Sequence, residues 1–284
     1  MRLRLCAFAD EAAEPIAEQI SALKENNIPQ IELRSVDGIN VKDLTDEKAQ
    51  EIARALKEAG ISVWSLGSPL GKSDISADFS QEVAVLKRLL QLCRLFECDK
   101  IRVFSFFTKE YARDRQEVTD RMRRLVEIAS EQKIRLFHEN EKDIYGDRAE
   151  RVADLLQNVP GLCSVYDPAN YVQVGETPEN MSKMAALAGY LHIKDVLRTG
   201  ELVPAGEGDG MIAELIGSVG TDMTLTLEPH LKVFSGYAAI DNHEMKNKYS
   251  FSTGREAFDF AARTLKNVLL KCGYGESGEE WIKP

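Results

Sequence analysis

Short apolar runs that alternate in period two give way along this chain to longer stretches where apolar residues return every three or four positions. That exchange repeats eight times. Strands are predicted at Leu3–Phe8, Gln30–Arg34, Ile61–Leu66, Lys100–Phe104, Arg135–Glu139, Cys163–Asp167, Tyr190–Lys194 and Met223–Glu228. Helical spacing places Ile16, Ile20 and Leu23 on one face of residues 14–24, and Val83, Leu86, Leu89 and Leu90 on one face of residues 80–96. Thr45 ahead of Asp46-Glu47-Lys48 reads as the N-cap of a helix that stops at Gly60. Further helices are predicted over residues 114–132, 147–156 and 178–187, from Met211, and over 254–270. An open doubly wound sheet also alternates strand and helix. Eight units in about 250 residues fit a closed α/β barrel better, and the expectation is a single (β/α)8 TIM barrel. No linker or low-complexity run divides residues 1–284, so one domain is expected. Its tail, Tyr274–Pro284, lies outside the repeat and packs on the barrel or on a neighbouring subunit.

The ends of four strands stand out against this apolar pattern. Arg135, Phe137 and Glu139 share one face of their strand, so an otherwise apolar strand ends in an inward acid, which is costly to bury without a partner. Asp167, His192 and Glu228 end three further strands. Functional groups of such barrels sit at the carboxyl ends of the strands, and neighbouring strands lie about 5 Å apart. Four successive tips offering Glu, Asp, His and Glu therefore converge on a volume suited to one divalent cation. Any one of these acids alone reads equally well as a helix cap or a surface group; the joint pattern is what points to metal. Carboxylate oxygens with one imidazole favour Mn²⁺, Mg²⁺ or Co²⁺, with Zn²⁺ also accommodated; Mn²⁺ is the expected ion.

Charge and cysteine content narrow the partners. The formal net charge is −10 and the pI about 5.1, which argues against a nucleic-acid partner. Cys6, Cys93, Cys98, Cys163 and Cys272 are odd in number and sit in apolar runs, as buried thiols of a reducing compartment would. The N-terminus enters a strand without an apolar signal core, and no segment approaches the roughly 18 continuous apolar residues of a membrane span. A cytoplasmic, soluble protein without a membrane partner is expected.

The motifs at the strand tips resemble those of the xylose-isomerase-like barrel superfamily of sugar isomerases and epimerases, which includes hydroxypyruvate isomerases and inosose dehydratases. The residues carrying the resemblance are His138-Glu139-Asn140, Tyr166-Asp167-Pro168-Ala169-Asn170, His192-Ile193-Lys194-Asp195-Val196, Gly206-Glu207-Gly208, Leu227-Glu228-Pro229-His230 and the loop Ser68–Lys72. It implies a metal held by Glu139, Asp167, His192 and Glu228, a small sugar substrate, and assembly as a homodimer or homotetramer, with the 229–251 loop as the expected contact. In ketose 3-epimerases the two glutamates, here Glu139 and Glu228, also move the proton. Arg198 stands six residues beyond His192, where those enzymes place a substrate-binding arginine. Asn170 and Tyr145 depart from them, replacing a histidine and a second glutamate, and the His-x-Lys-Asp run is closer to inosose dehydratases.

The resulting expectation is a metal-dependent sugar, keto-sugar or sugar-phosphate isomerase or epimerase working through an enediolate. A dehydratase of the inosose type is the alternative. A sugar-binding barrel without turnover is a third reading. An apurinic-site endonuclease is disfavoured by four histidines and an acidic chain. Lys194, Asn170, Arg198, His230 and Glu32 are the candidate substrate contacts. Lys194 serves equally well in a buried ion pair, and Glu32 and Arg34 equally well as a pair with each other. His138 has the wrong parity for the interior and reads as structural, as do most of Phe104, Phe106, Phe107 and Tyr111. Glu207 reads as a solvated turn residue, and His243 is given no role.

Overall fold

A computed structural model describes residues 1–234 and 245–283. Eight parallel strands close on themselves: β1 (Arg2–Ala7), β2 (Gln30–Leu33), β3 (Ser62–Gly67), β4 (Lys100–Val103), β5 (Arg135–Glu139), β6 (Cys163–Tyr166), β7 (Tyr190–Ile193) and β8 (Met223–Leu227). Closure is made by β1 against β8, with Leu3 opposite Met223 and Ala7 opposite Leu227. Helices follow the strands and cover the barrel, as the sequence pattern predicts. Thr45 caps its helix as expected, its side chain accepting from the Lys48 N–H, and Gly60 ends that helix in the left-handed region at φ 75°.

The barrel is filled in layers by the inward positions of alternating strands. Phe137, Val165 and Tyr190 form an apolar floor with Trp64 packed against it. Polar side chains occupy the levels above, on the same faces of the same strands: Tyr190 is followed by His192, Phe137 by Glu139, and Val165 by Asp167. The larger apolar cluster lies outside, between the strands and the helices.

Several elements lie beyond the eight-fold repeat. Residues 275–277 and 280–282 form a hairpin, β9 (Gly275–Ser277) and β10 (Glu280–Ile282). β10 runs antiparallel to the first half of β1, with Leu3 opposite Trp281, before β2 takes over that edge at Cys6. The tail thus packs on this chain's own barrel, and Trp281 is buried there. Short hairpins at Ser35–Val36/Ile39–Asn40 and Asp195–Val196/Leu202–Val203 project from the strand ends. Cys6, Cys93 and Cys98 are buried, and all five thiols are free. No helix among the described residues is long and apolar enough to cross a membrane. His243 and part of the 229–251 loop fall outside the described residues.

Candidate metal centre

Glu139, Asp167, His192 and Glu228 meet in space. One ligand atom from each lies within 4.8 Å of the others, and all four residues are buried. The strands supply this convergence directly, because each residue ends β5 or directly follows β6 or β8, or sits one position from the end of β7. Each glutamate is oriented by an arginine that the sequence pattern gave no such role. Arg102 donates from Nη1 to Glu139 Oε2 (2.6 Å), which leaves Oε1 turned to His192 Nδ1 (3.1 Å). Arg34 donates from Nη1 to Glu228 Oε1 (2.9 Å), which leaves Oε2 toward His192 Nδ1 (3.3 Å). One oxygen of each carboxylate is thereby fixed, and the other points into the cluster.

His192 is held from below. Its Nε2 lies 3.2 Å from Glu32 Oε2, and Glu32 also accepts from the Tyr190 hydroxyl (2.8 Å) and from Thr226 Oγ1 (3.0 Å). The Phe8 and Tyr190 rings meet the imidazole edge-on at 5.2 and 5.5 Å. A carboxylate on one imidazole nitrogen fixes the tautomer and frees the other nitrogen for a metal. Glu32, expected to contact substrate or to pair with Arg34, therefore sits beneath the cluster as a positioning residue for His192. Arg34 instead pairs with Asp10, Glu11 and Glu228. Both residues point inward from one strand, so each reaches across to other strand ends rather than to the other.

Asp10, Glu11, Glu139, Glu141, Asp167 and Glu228 around the mouth and Glu32 beneath it are buried, facing Arg34, Lys72, Arg102, Lys194 and the His192 imidazole. Lys194 Nζ lies 2.9 Å from Asp167 Oδ2 and 3.8 Å from Glu228 Oε2, so the ion pair expected of it forms. Asp167 Oδ2 and Glu228 Oε2 are buried, and among the described residues the donors they face are the Lys194 ammonium and, for Glu228, His192 Nδ1. Burial pushes the Glu139 carboxyl up, but His192 and Arg102 outweigh it and hold the group down at about 2. Burial lifts Asp167 to about 6, aided by Glu139 and Glu228 and opposed by Lys194. Glu228 lies well below its ordinary range because Lys194, His192 and His230 overcome its burial. The metal-free His192 is driven well above its ordinary value by Glu139 and Glu32, against its burial. Three carboxylates and one imidazole whose ligand atoms converge within 4.8 Å fit a divalent ion.

A second group, Glu11, Glu228 and His230, adjoins the first and shares Glu228. The Arg34 guanidinium already lies within it, 3.2 Å from Glu11 and 2.9 Å from Glu228. His230 Nε2 is 3.4 Å from both acids, and its ring stacks on Phe234, which puts it at the mouth as expected. Asn170 donates to the Asn140 carbonyl (2.8 Å) and reaches Glu139 Oε1 at 3.4 Å. Arg198 is exposed in a hairpin turn and makes none of these contacts. His138 is structural, bonded through Nε2 to Ser105 Oγ, and burial holds it down at about 4. Asp195 accepts backbone N–H bonds from Gly206, Gly208 and Gly210, which explains the Gly-Glu-Gly turn. Glu207 within that turn is met by the Tyr249 hydroxyl.

The sequence profile of the xylose isomerase-like TIM barrel family matches residues 20–246. The chain belongs to this family. A search of curated proteins finds no sequence match. Among solved structures, the IolI protein with a bound zinc atom is similar at a TM-score of 0.75 and 15% identity, covering 94% of this chain and 98% of its own. The probable 3-DHS dehydratase AsbF from Bacillus anthracis, involved in petrobactin synthesis, is similar at 0.72 and 19% identity, covering 94% and 99%. D-psicose 3-epimerase, solved in the presence of D-fructose, is similar at 0.72 and 14% identity, covering 95% and 99%. A probable dehydratase and an epimerase are thus among the proteins that share this fold.

Proposed function

We propose that this protein is a divalent-metal-dependent isomerase or epimerase of a sugar or keto-sugar, with Glu139, Asp167, His192 and Glu228 as ligands and Mn²⁺ as the ion. The observation that carries the reading is the convergence of four buried strand-end donors, with one ligand atom from each within 4.8 Å of the others. A divalent ion there supplies Lewis-acid stabilisation of the negative charge that develops when a C–H between a carbonyl and a hydroxyl is deprotonated. Glu139 and Glu228 are the proposed proton carriers. Their arginine partners fix them in place and also lower their basicity, so the C–H must be strongly acidified for transfer to proceed. His230 and Asn170 border the two glutamates and are the proposed contacts for substrate hydroxyls. Arg198, exposed on its hairpin turn, is not among the proposed contacts.

Lys194 favours a second reading. Its ammonium lies at the cluster, where it can protonate a departing hydroxyl, and that step converts the same carbanion chemistry into a dehydration. Incubating manganese-loaded protein in D₂O with ketoses and with a keto-inositol separates the two. Carbon-bound deuterium in recovered sugar supports isomerase or epimerase chemistry, and loss of water supports the dehydratase. Neither change, with Glu228→Gln indistinguishable from the parent, refutes both.

A further inference from the structure

The metal cluster takes up one side of the barrel mouth. Across from it, the ends of β1 to β4 enclose a cavity of about 340 Å³ whose lining includes Arg34, Lys72, Arg102, Phe104 and Ser68. The carboxylates on its wall are ion-paired. Asp10 is held by two nitrogens of Arg34, and Asp43 at the rim pairs with Lys42. Arg102 is different. Its side chain is buried, it donates from Nη1 to Glu139 Oε2 at 2.6 Å, and its Nε–H has no acceptor among the described residues. A guanidinium carries five N–H donors, so Arg102 has donors to spare beside an open space. Lys72 Nζ and the Arg102 guanidinium both pack on the Phe104 ring, at 4.4 and 4.5 Å from its centroid. Two cations drawn to one ring repel each other. Burial lowers the Lys72 pKa, and Arg102 adds to the lowering while Glu141, 3.3 Å away, opposes it.

We infer that this cavity seats an oxyanion, so that the substrate is an acid or phosphate derivative of a sugar whose anionic end rests on Arg102 and Lys72. An anion here relieves the repulsion between the two cations and gives an acceptor to the Arg102 donors that Glu139 leaves unused, in a charge-assisted pairing suited to carboxylate or phosphate. Arg102 also orients Glu139, so an anion on its free edge lies next to the ligand cluster. The carbonyl end of the same molecule is then directed toward Glu139 and Glu228. This rests on the metal-dependent sugar reading and adds the charge of the substrate to it.

The test is calorimetric titration of the manganese-loaded protein with fructose, fructose 6-phosphate and gluconate in the same buffer. At least one anion is expected to bind about tenfold or more tightly than fructose, and the tighter of the two tells phosphate from carboxylate. Lys72→Met keeps the stem on Phe104 and is expected to remove most of that preference while manganese affinity stays within about twofold; Lys72→Arg is expected to retain it. If Lys72→Met does not fold, Lys72→Gln takes its place. Binding of all three sugars within about twofold of one another, with manganese bound normally, overturns the inference, as does a preference that Lys72→Met leaves intact. Failure to bind manganese at all instead refutes the metal reading, and the inference falls with it.

Discussion

Glu32→Gln isolates the part of the site that the ligands alone do not explain. Glu32 is 1% exposed, and its carboxylate takes three contacts: His192 Nε2, the Tyr190 hydroxyl and Thr226 Oγ1. A glutamine can imitate that geometry, with its oxygen accepting from the imidazole and Thr226 Oγ1 and its NH₂ donating to the Tyr190 hydroxyl, which rotates to accept. What it removes is the negative charge behind the imidazole, which fixes the tautomer and raises the basicity of Nδ1. Loss of such an outer partner costs about 10- to 100-fold in metal affinity, or roughly 1.4 to 2.7 kcal/mol. The metal-free protein is also expected to lose stability, because the buried, protonated His192 loses a carboxylate partner; its thermal midpoint should fall. Competition between the protein and a chromophoric chelator for manganese, alongside a melting curve of each metal-free variant, reads both quantities. A folded Glu32→Gln protein with manganese affinity within about twofold of the parent would refute the assignment of Glu32 as the residue that positions His192.

Other outcomes follow from the same contacts. Because metal-free His192 is protonated well above its ordinary range, an ion must displace that proton; manganese affinity is expected to fall as pH falls, and titrations in buffers of different ionisation enthalpy to show proton release. His138 is neutral in the native state, held near 4 against an ordinary 6.5. Its contribution is intact above pH 6.5 and declines as pH falls toward 4, where the unfolded chain takes up a proton that the native chain refuses. Roughly 3 kcal/mol of urea-measured stability is expected to disappear over that window, and His138→Gln to flatten the profile. At Gly71, φ is +83° and a Cβ would fall 2.2 Å from the Phe104 carbonyl oxygen, so Gly71→Ala is expected to cost about 2 kcal/mol or more by chemical denaturation.

The barrel and the convergence of its four strand-end donors were legible because both follow from period-two alternation. A strand that is apolar on its inward face and then ends in Glu139, or in Asp167 beyond Tyr166, announces a buried polar layer without knowledge of the neighbouring strands. The arginines were harder to place. Arg102 has the inward parity of Phe104 on the same strand, and that charged position inside an apolar barrel was the available signal, but its partner Glu139 lies 37 residues away. Asp10 and Glu11 follow a strand like any polar tip, and only closure of β1 on β8 brings Glu11 to Glu228 and His230. Arg198 illustrates the reverse: a fixed spacing from His192 does not survive a hairpin that turns the chain outward. The tail hairpin could not be assigned an edge from its own residues, because β1 receives it only where β2 has not yet joined.

The central claim is one ion held by three carboxylates and one imidazole. Manganese titration of chelator-treated protein, followed by pulsed electron paramagnetic resonance, tests it directly. One Mn²⁺ per chain with a single coordinated imidazole nitrogen, weakened severalfold or more in Asp167→Asn, is the predicted result. No stoichiometric binding, or a bound ion that carries no nitrogen coupling and ignores Asp167→Asn, would contradict the account.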